Sequence, residues 1–181
     1  MKTARPGFTL LEVLLVMVII AVMIGLATPS IEAMYADARV KAGSDHLRSR
    51  FAETRSHAIE EGRVYRFAVK PGQSGYKFAP DSTAHWDATG TNNSQQTDDD
   101  AGTAATVVED VMPNNITIDL GNNQAPATDS KGYTTILRFF PDGSCDNDTT
   151  ITLRLDDARP IDVSVRALTA SVTAKYQSGS Q

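Results

Sequence analysis

The chain has 181 residues, with 22 Asp and Glu against 17 Lys and Arg and a formal charge of −5. That length supports one domain with an appendage, and the excess of acid argues against nonspecific binding to a phosphate backbone. The single cysteine, Cys145, excludes an intrachain disulfide and a Cys-based metal site, and the three histidines, His46, His57 and His85, lack metal-ligand spacing and read as packing or surface residues.

Apolarity and charge are unevenly shared. Residues 8–27 carry one ionisable side chain, Glu12, whereas from residue 28 onward there are 21 acids and 15 bases. At ~1.5 Å per residue this apolar stretch makes a helix of ~30 Å, the thickness of a bilayer's hydrocarbon core. Three readings compete for it. In the first it is a secretory signal, with Lys2 and Arg5 as the basic region and Gly25-Leu26-Ala27 as the cleavage site. Against that, Glu12 interrupts it and the helical pattern continues past Ala27. In the second it is a plain anchor with its N-terminus in the cytoplasm, which leaves Glu12 unexplained. Glu12 could then sit in the first turns, favoured by the macrodipole, and snorkel to the interface. In the third, a cut between Gly7 and Phe8 creates an α-ammonium at the head of the helix. On a neighbouring subunit that cation is the counter-charge for Glu12, an acid that is costly in an apolar medium unless paired.

The run Arg5-Pro6-Gly7-Phe8-Thr9-Leu10-Leu11-Glu12-Val13, followed by an unbroken apolar helix, resembles the class III leader of type IV pilins and type II secretion pseudopilins. The resemblance implies a leader over residues 1–7, cleavage after Gly7 by a prepilin peptidase, N-methylation of Phe8 and a role for Glu12 in filament assembly. Pro6, between the basic residue and the cleavage glycine, is a small departure. Loss of the leader would leave 22 acids to 15 bases.

Past the span, residues 28–62 read as an amphipathic continuation of the same helix. Its stripe is expected to be Ile31, Met34, Tyr35, Ala38, Leu47, Phe51, Ala52 and Ile59, and Gly62 the stop. Pro29 removes a backbone donor inside this path and is expected to kink the helix. Residues 63–181 read as a β-rich head. Residues 64–69 and 76–79 flank a Pro-Gly-containing turn, and further strands are expected over 116–120, 134–139, 150–155, 161–165 and 171–174. The fold class is therefore α+β, a pilin-like long N-terminal helix packed on antiparallel sheet.

Two polar stretches interrupt the strands. Residues 80–106 hold five Asp, no Lys or Arg, and one large apolar residue, Trp86, and are expected to form a mobile insertion; residues 121–132 are a shorter version. Asp98-Asp99-Asp100, or Asp142 with Asp146 and Asp148, could attract a cation. Neither set has the ligand count of a calcium loop, so solvated acids are expected, with no cofactor and no metal.

The run of residues 137–144, Leu-Arg-Phe-Phe-Pro-Asp-Gly-Ser, with the strands after it, resembles the GspH/FimT-like pseudopilin domain. The DNA-uptake branch of that family carries a Gly-Arg-x-Arg-like element, and the matching stretch here, residues 167–172, has neither the glycine nor the arginines; no nucleic-acid partner is expected. The resemblance implies a minor pseudopilin of type II secretion, at or near the tip of a periplasmic pseudopilus, anchored in the inner membrane before assembly. Implied partners are other minor and major pseudopilins, the prepilin peptidase, and a secreted substrate or the outer-membrane channel. A minor pilin of a type IV pilus and a membrane-anchored binding module that does not polymerise remain alternatives. No nucleophile elbow, phosphate loop or metal-spaced pair is present, so catalysis is not expected.

Overall fold

The computed structural model describes residues 7–86, 105–121 and 128–177, without the side chains of residues 26–33 and Ala84. A helix, α1 (Leu10–Glu61), of 52 residues would measure about 78 Å. It starts at Thr9, whose extended backbone and side-chain oxygen cap it, and stops at Gly62, whose left-handed φ of 65° a glycine adopts without strain. Helical backbone continues through position 29; the side chain of Pro29, and with it any local effect of the ring, lies outside the described residues.

The head follows as β1 (Tyr65–Val69), β2 (Gly75–Pro80), a one-turn helix α2 (Thr83–Trp86), β3 (Val108–Val111), β4 (Thr117–Asp119), β5 (Thr134–Phe139), β6 (Thr149–Arg154), β7 (Ile161–Val165) and β8 (Val172–Tyr176). They make two four-stranded antiparallel sheets, ordered β3-β2-β1-β5 and β4-β6-β7-β8. The last crossing from the first sheet to the second, between β5 and β6, begins with the Pro141-Asp142-Gly143-Ser144 turn. There Phe140 N donates to Ser144 O at 2.9 Å and Phe139 bridges Cys145.

The C-terminal part of α1 lies against both sheets. Its buried row is Ala36, Val40, Gly43, Ser44, Leu47, Phe51, Thr54 and Ala58, steps of three and four that hold one helix face, with Gly43 and Ser44 sharing one turn of it. The stripe expected from the sequence holds at Leu47 and Phe51. Met34, Tyr35, Ala38, Ala52 and Ile59 are exposed instead, and Ile31 lies outside the described side chains. The reason is steric. Small residues bring the helix axis close to the sheets, so a Cβ at Gly43 would collide with Ile116 Cδ1. Ser44 and Thr54 tolerate burial because their hydroxyls donate to Lys41 O at 2.8 Å and Arg50 O at 2.7 Å, within the helix.

The first sheet is covered on both faces. Tyr65, Phe67, Val69, Tyr76 and Phe78 join the core under α1, with Phe51 edge-on to Phe67 at 4.7 Å between ring centres. On the other face Ala68 and Ala79 pack with Trp86 and Tyr133. Trp86 is thus a buried anchor of the head, its Nε1 donating to Pro80 O at 2.9 Å. Both ends of the insertion expected over 80–106 are built in: Pro80 ends β2, α2 follows, and Thr106 N donates to Tyr65 Oη at 3.2 Å. Asp98-Asp99-Asp100 lies outside the described residues.

Candidate assembly site

Among the described residues, the side chains of α1 from Leu10 to Gly25 have no intramolecular cover. Phe8 is 84% exposed, and every large apolar side chain from Leu10 to Ile24 is exposed around the whole circumference. A helix apolar on all sides is stable only when something outside its own chain surrounds it. Among the described residues no helix is long and apolar enough to cross a membrane. The described side chains of this end of α1 run from Leu10 to Gly25, about 24 Å against the ~30 Å of a hydrocarbon core.

At the tip of this half, Gly7, Phe8 and Thr9 precede the first helical residue, so the Gly7–Phe8 bond sits on exposed, non-helical backbone. Thr9 Oγ1 accepts from Glu12 N at 3.2 Å. Thr9-x-x-Glu12 has the spacing of a capping box, a signal the sequence carried and the reading of Glu12 as an isolated acid overlooked. Glu12 therefore stands in the first turn, where the helix's positive end favours a carboxylate.

Where α1 enters the head, side-chain networks fix its direction. Asp37 accepts from Arg159 N at 2.9 Å and from both Nε and Nη2 of the same residue, at 3.0 and 2.8 Å. These bonds, the backbone one foremost, hold the Asp37 carboxyl below its ordinary pKa. Arg159 in turn lies over the Tyr176 ring at 4.6 Å. Further along, His46 Nε2 and Tyr76 Oη are 3.1 Å apart, and Tyr76 Oη donates to Asp110 Oδ2 at 3.1 Å. Burial pushes the Tyr76 phenol up to about 12 and the His46 imidazole down. At the helix end Tyr65 Oη donates to Glu61 Oε1 at 2.7 Å, with His57 stacked on the Tyr65 ring. His46 and His57 thus pack and orient.

The remaining sequence candidates are structural. Asp142 Oδ1 accepts from Ser144 N, Asp146 Oδ1 from Arg138 N and Asp148 Oδ1 from Ala167 N, at 2.9, 3.0 and 2.7 Å. The three carboxylates serve separate backbone donors instead of converging, and among the described residues no cluster suited to a metal ion forms. Cys145 is buried, with Sγ 3.4 Å from Ala167 O, and burial raises its thiol to about 11, far from a reactive thiolate. Residues 167–172 form the β7–β8 turn and enter β8, with Leu168 91% exposed and the preceding Arg166 paired to Asp148 at 3.6 Å.

Two family models match the chain. The prokaryotic N-terminal methylation motif covers residues 2–28, and the type II transport protein GspH covers residues 44–172. The chain belongs to the GspH family. It is accordingly a type IV pilin-like minor pseudopilin of the type II secretion system, and members of the family are structural subunits. The methylation motif implies an N-terminal anchor with a periplasmic head. Among solved structures it is similar to the minor pseudopilin EpsH from the type 2 secretion system of Vibrio cholerae, at 12% identity and a TM-score of 0.46, over 76% of this chain and 97% of that one. No curated protein sequence matches.

Proposed function

We propose that this GspH-family chain is cut between Gly7 and Phe8 by a prepilin peptidase, methylated on Phe8, held in the inner membrane by residues 8–27, and assembled through that helix at or near the tip of a periplasmic pseudopilus, where it helps start assembly. The observation that carries the reading is the exposed run of apolar side chains from Leu10 to Ile24 of α1, interrupted only by Glu12, on a helix whose other end is packed in the head. Neighbouring apolar helices, first of the membrane and then of other pseudopilins, give that surface the cover its own chain lacks.

Glu12 supplies register. Its carboxylate, one turn into the helix, meets the α-ammonium of Phe8 on an adjacent subunit, an ion pair strengthened where water is excluded. Pro29 marks where the helix yields as subunits pack. The acid excess of the head favours protein contacts, to other pseudopilins and to a secreted substrate or the outer-membrane channel, over nucleic acid.

Mass spectrometry of the N-terminus of the membrane-extracted chain tests the processing step. A methylated Phe8 is expected; an intact Met1, or a start at Thr28, would overturn the filament reading. Glu12→Ala should reduce incorporation into pseudopili while the head stays folded. Wild-type incorporation would refute the proposed ion pair.

A further inference from the structure

Beyond Phe8, the described aromatic rings of Phe, Tyr and Trp are buried or half-buried with two exceptions, Tyr35 at 65% and Tyr176 at 41% exposure. One is at the entry of α1 into the head and the other at the end of β8, yet the fold sets them at one level. Tyr35 lies two residues before Asp37, the first side chain of α1, among those described, to bond with the head. Asp37 accepts from Arg159, and Arg159 covers the Tyr176 ring at 4.6 Å. Gln177 N donates to Pro160 O at 2.9 Å, which ties the end of β8 to the same turn.

This level borders the anchor. No charge occurs between Glu12 and Glu32, so residues 13–31 give about 28 Å of uncharged helix, close to the ~30 Å of a hydrocarbon core. Tyr35 then stands about 6 Å and Asp37 about 9 Å past that run, against a headgroup layer of about 5–7 Å on each side. Helical side chains lean toward the N-terminus, so Tyr35 and Arg39 reach back toward the anchor. Arg39 shares the helix face of Tyr35, one turn on. It is exposed, as is Lys41, and neither enters the ion pairs that flank them, Asp37 with Arg159 and Asp45 with Arg48.

Arg159 is 68% exposed in its side chain although it is bonded. It uses Nε and Nη2 on Asp37, so Nη1 remains for another acceptor. Tyrosine and arginine together suit a bilayer surface, where the ring lies among headgroups and the guanidinium meets phosphate. Asp156 and Asp157 are exposed in the same turn as Arg159, so the fit comes from individual phosphate bonds and not from a positive field.

We propose that this end of the head rests on phospholipid headgroups, with Arg39 and Arg159 donating to lipid phosphates and Tyr35 and Tyr176 lying in the headgroup layer. The contact holds the head at one tilt to the bilayer before assembly, and it rests on the reading of the apolar end of α1 as the anchor.

The full-length chain in phosphatidylcholine vesicles, without other pseudopilins, tests this. A nitroxide on Gln177→Cys reports its depth through its accessibility to oxygen against a nickel chelate; Cys145 is buried and stays unlabelled. The expected position is within about 5 Å of the phosphate level, while a nitroxide on Leu168→Cys, beyond the opposite end of β8, reads bulk water. Arg39→Glu combined with Tyr35→Ser, both on exposed positions, should carry position 177 outward by at least about 5 Å with the head's melting temperature unchanged. Arg39→Lys combined with Tyr35→Trp, which keeps the charge and an interfacial ring, should leave it in place. A bulk-water reading at 177, a depth indifferent to the first pair of substitutions, or a contact that forms only when phosphatidylglycerol is added would overturn the proposal, the last by showing that surface charge alone attracts the head. A nitroxide on Val16→Cys separates the two readings. If it lies in the hydrocarbon while 177 reads water, the headgroup contact alone falls; if both read water, the anchor falls with it.

Discussion

The two halves of α1 are one helix built on two plans. From Leu10 to Ile24 large apolar side chains stand on every face and all are exposed, with Glu12 the one charge among them; from Ala36 to Ala58 a single row is buried, and it includes Gly43, Ser44 and Thr54. The first plan leaves the choice of partner to whatever surrounds it. The second fixes one partner, the chain's own sheets, at one distance. Helical backbone is indifferent to the difference, because its hydrogen bonds close locally; burial is what separates an assembly surface from a core.

The sharpest way to break this contrast is at Phe51, 1% exposed and edge-on to Phe67. Phe51→Ala should cost the head about 3–5 kcal/mol, through lost transfer energy and the cavity left behind. Met17→Ala, at a position 69% exposed, should change head stability by less than about 0.5 kcal/mol. Urea unfolding of the two detergent-solubilised variants, followed by near-ultraviolet dichroism of the head, reads both. Equal losses would show that the halves are not independent.

Glycine gives a second comparison within the same helix. A Cβ at Gly25 would meet nothing within 4 Å, whereas one at Gly43 meets Ile116. Gly43→Val should therefore destabilise by about 1–3 kcal/mol through overpacking. Gly25→Ala should firm the helix locally by up to about 1 kcal/mol. Ile116→Ala placed beside Gly43→Val should recover part of the loss in thermal unfolding; a purely additive double mutant would mean that the collision is not the cause.

What the sequence made legible follows the same division. The alternating strand β7 at 161–165 and the β-branched, apolar strand β5 at 134–139, buried at all but one position, are legible to the residue, and Gly62 ends the helix as its conformational freedom suggests. The β3 strand was missed because Val108-Glu109-Asp110-Val111 carries two acids at its centre, which an edge strand accepts since Glu109 and Asp110 face Tyr133 and Tyr76. The buried row of α1 departs from its apolar stripe because apolarity alone does not mark burial. Where helix and sheet approach closely the buried residues must be small, and hydroxyls bonded to their own helix count as small. The Thr9 cap was visible in its spacing to Glu12 but eclipsed by the larger question of the acid in an apolar run.

A smaller effect is expected at the tip. Thr9→Ala removes the oxygen that accepts from Glu12 N and should cost about 1 kcal/mol of local helix stability. The loss should show as faster amide exchange over residues 10–13 with no change in the head's melting temperature. Unchanged exchange would indicate that neighbouring helices or lipid, instead of the cap, hold the first turn.

The smallest predicted effect lies where the two plans meet, at Asp37. Its folded pKa is held below the ordinary carboxylate value by the Arg159 backbone N–H and guanidinium. In the window between that depressed value and the unfolded carboxylate's ~3.9, the unfolded chain binds more protons, so stability rises with pH there. The contribution is fully present above about pH 4 and fades as the pH falls through the folded pKa. Asp37→Asn keeps an acceptor for the backbone N–H and abolishes the titration. Its melting temperature should fall below wild type near neutrality, and the gap should narrow as the pH is taken from about 6 to about 2. Glu12→Gln, at the exposed far end of α1, should leave the melting curve of the head parallel to wild type across the same range. A gap for Asp37→Asn that stays constant with pH would show that the Arg159 contact holds the helix through geometry alone, and that the junction between the two halves carries no charge dependence of its own.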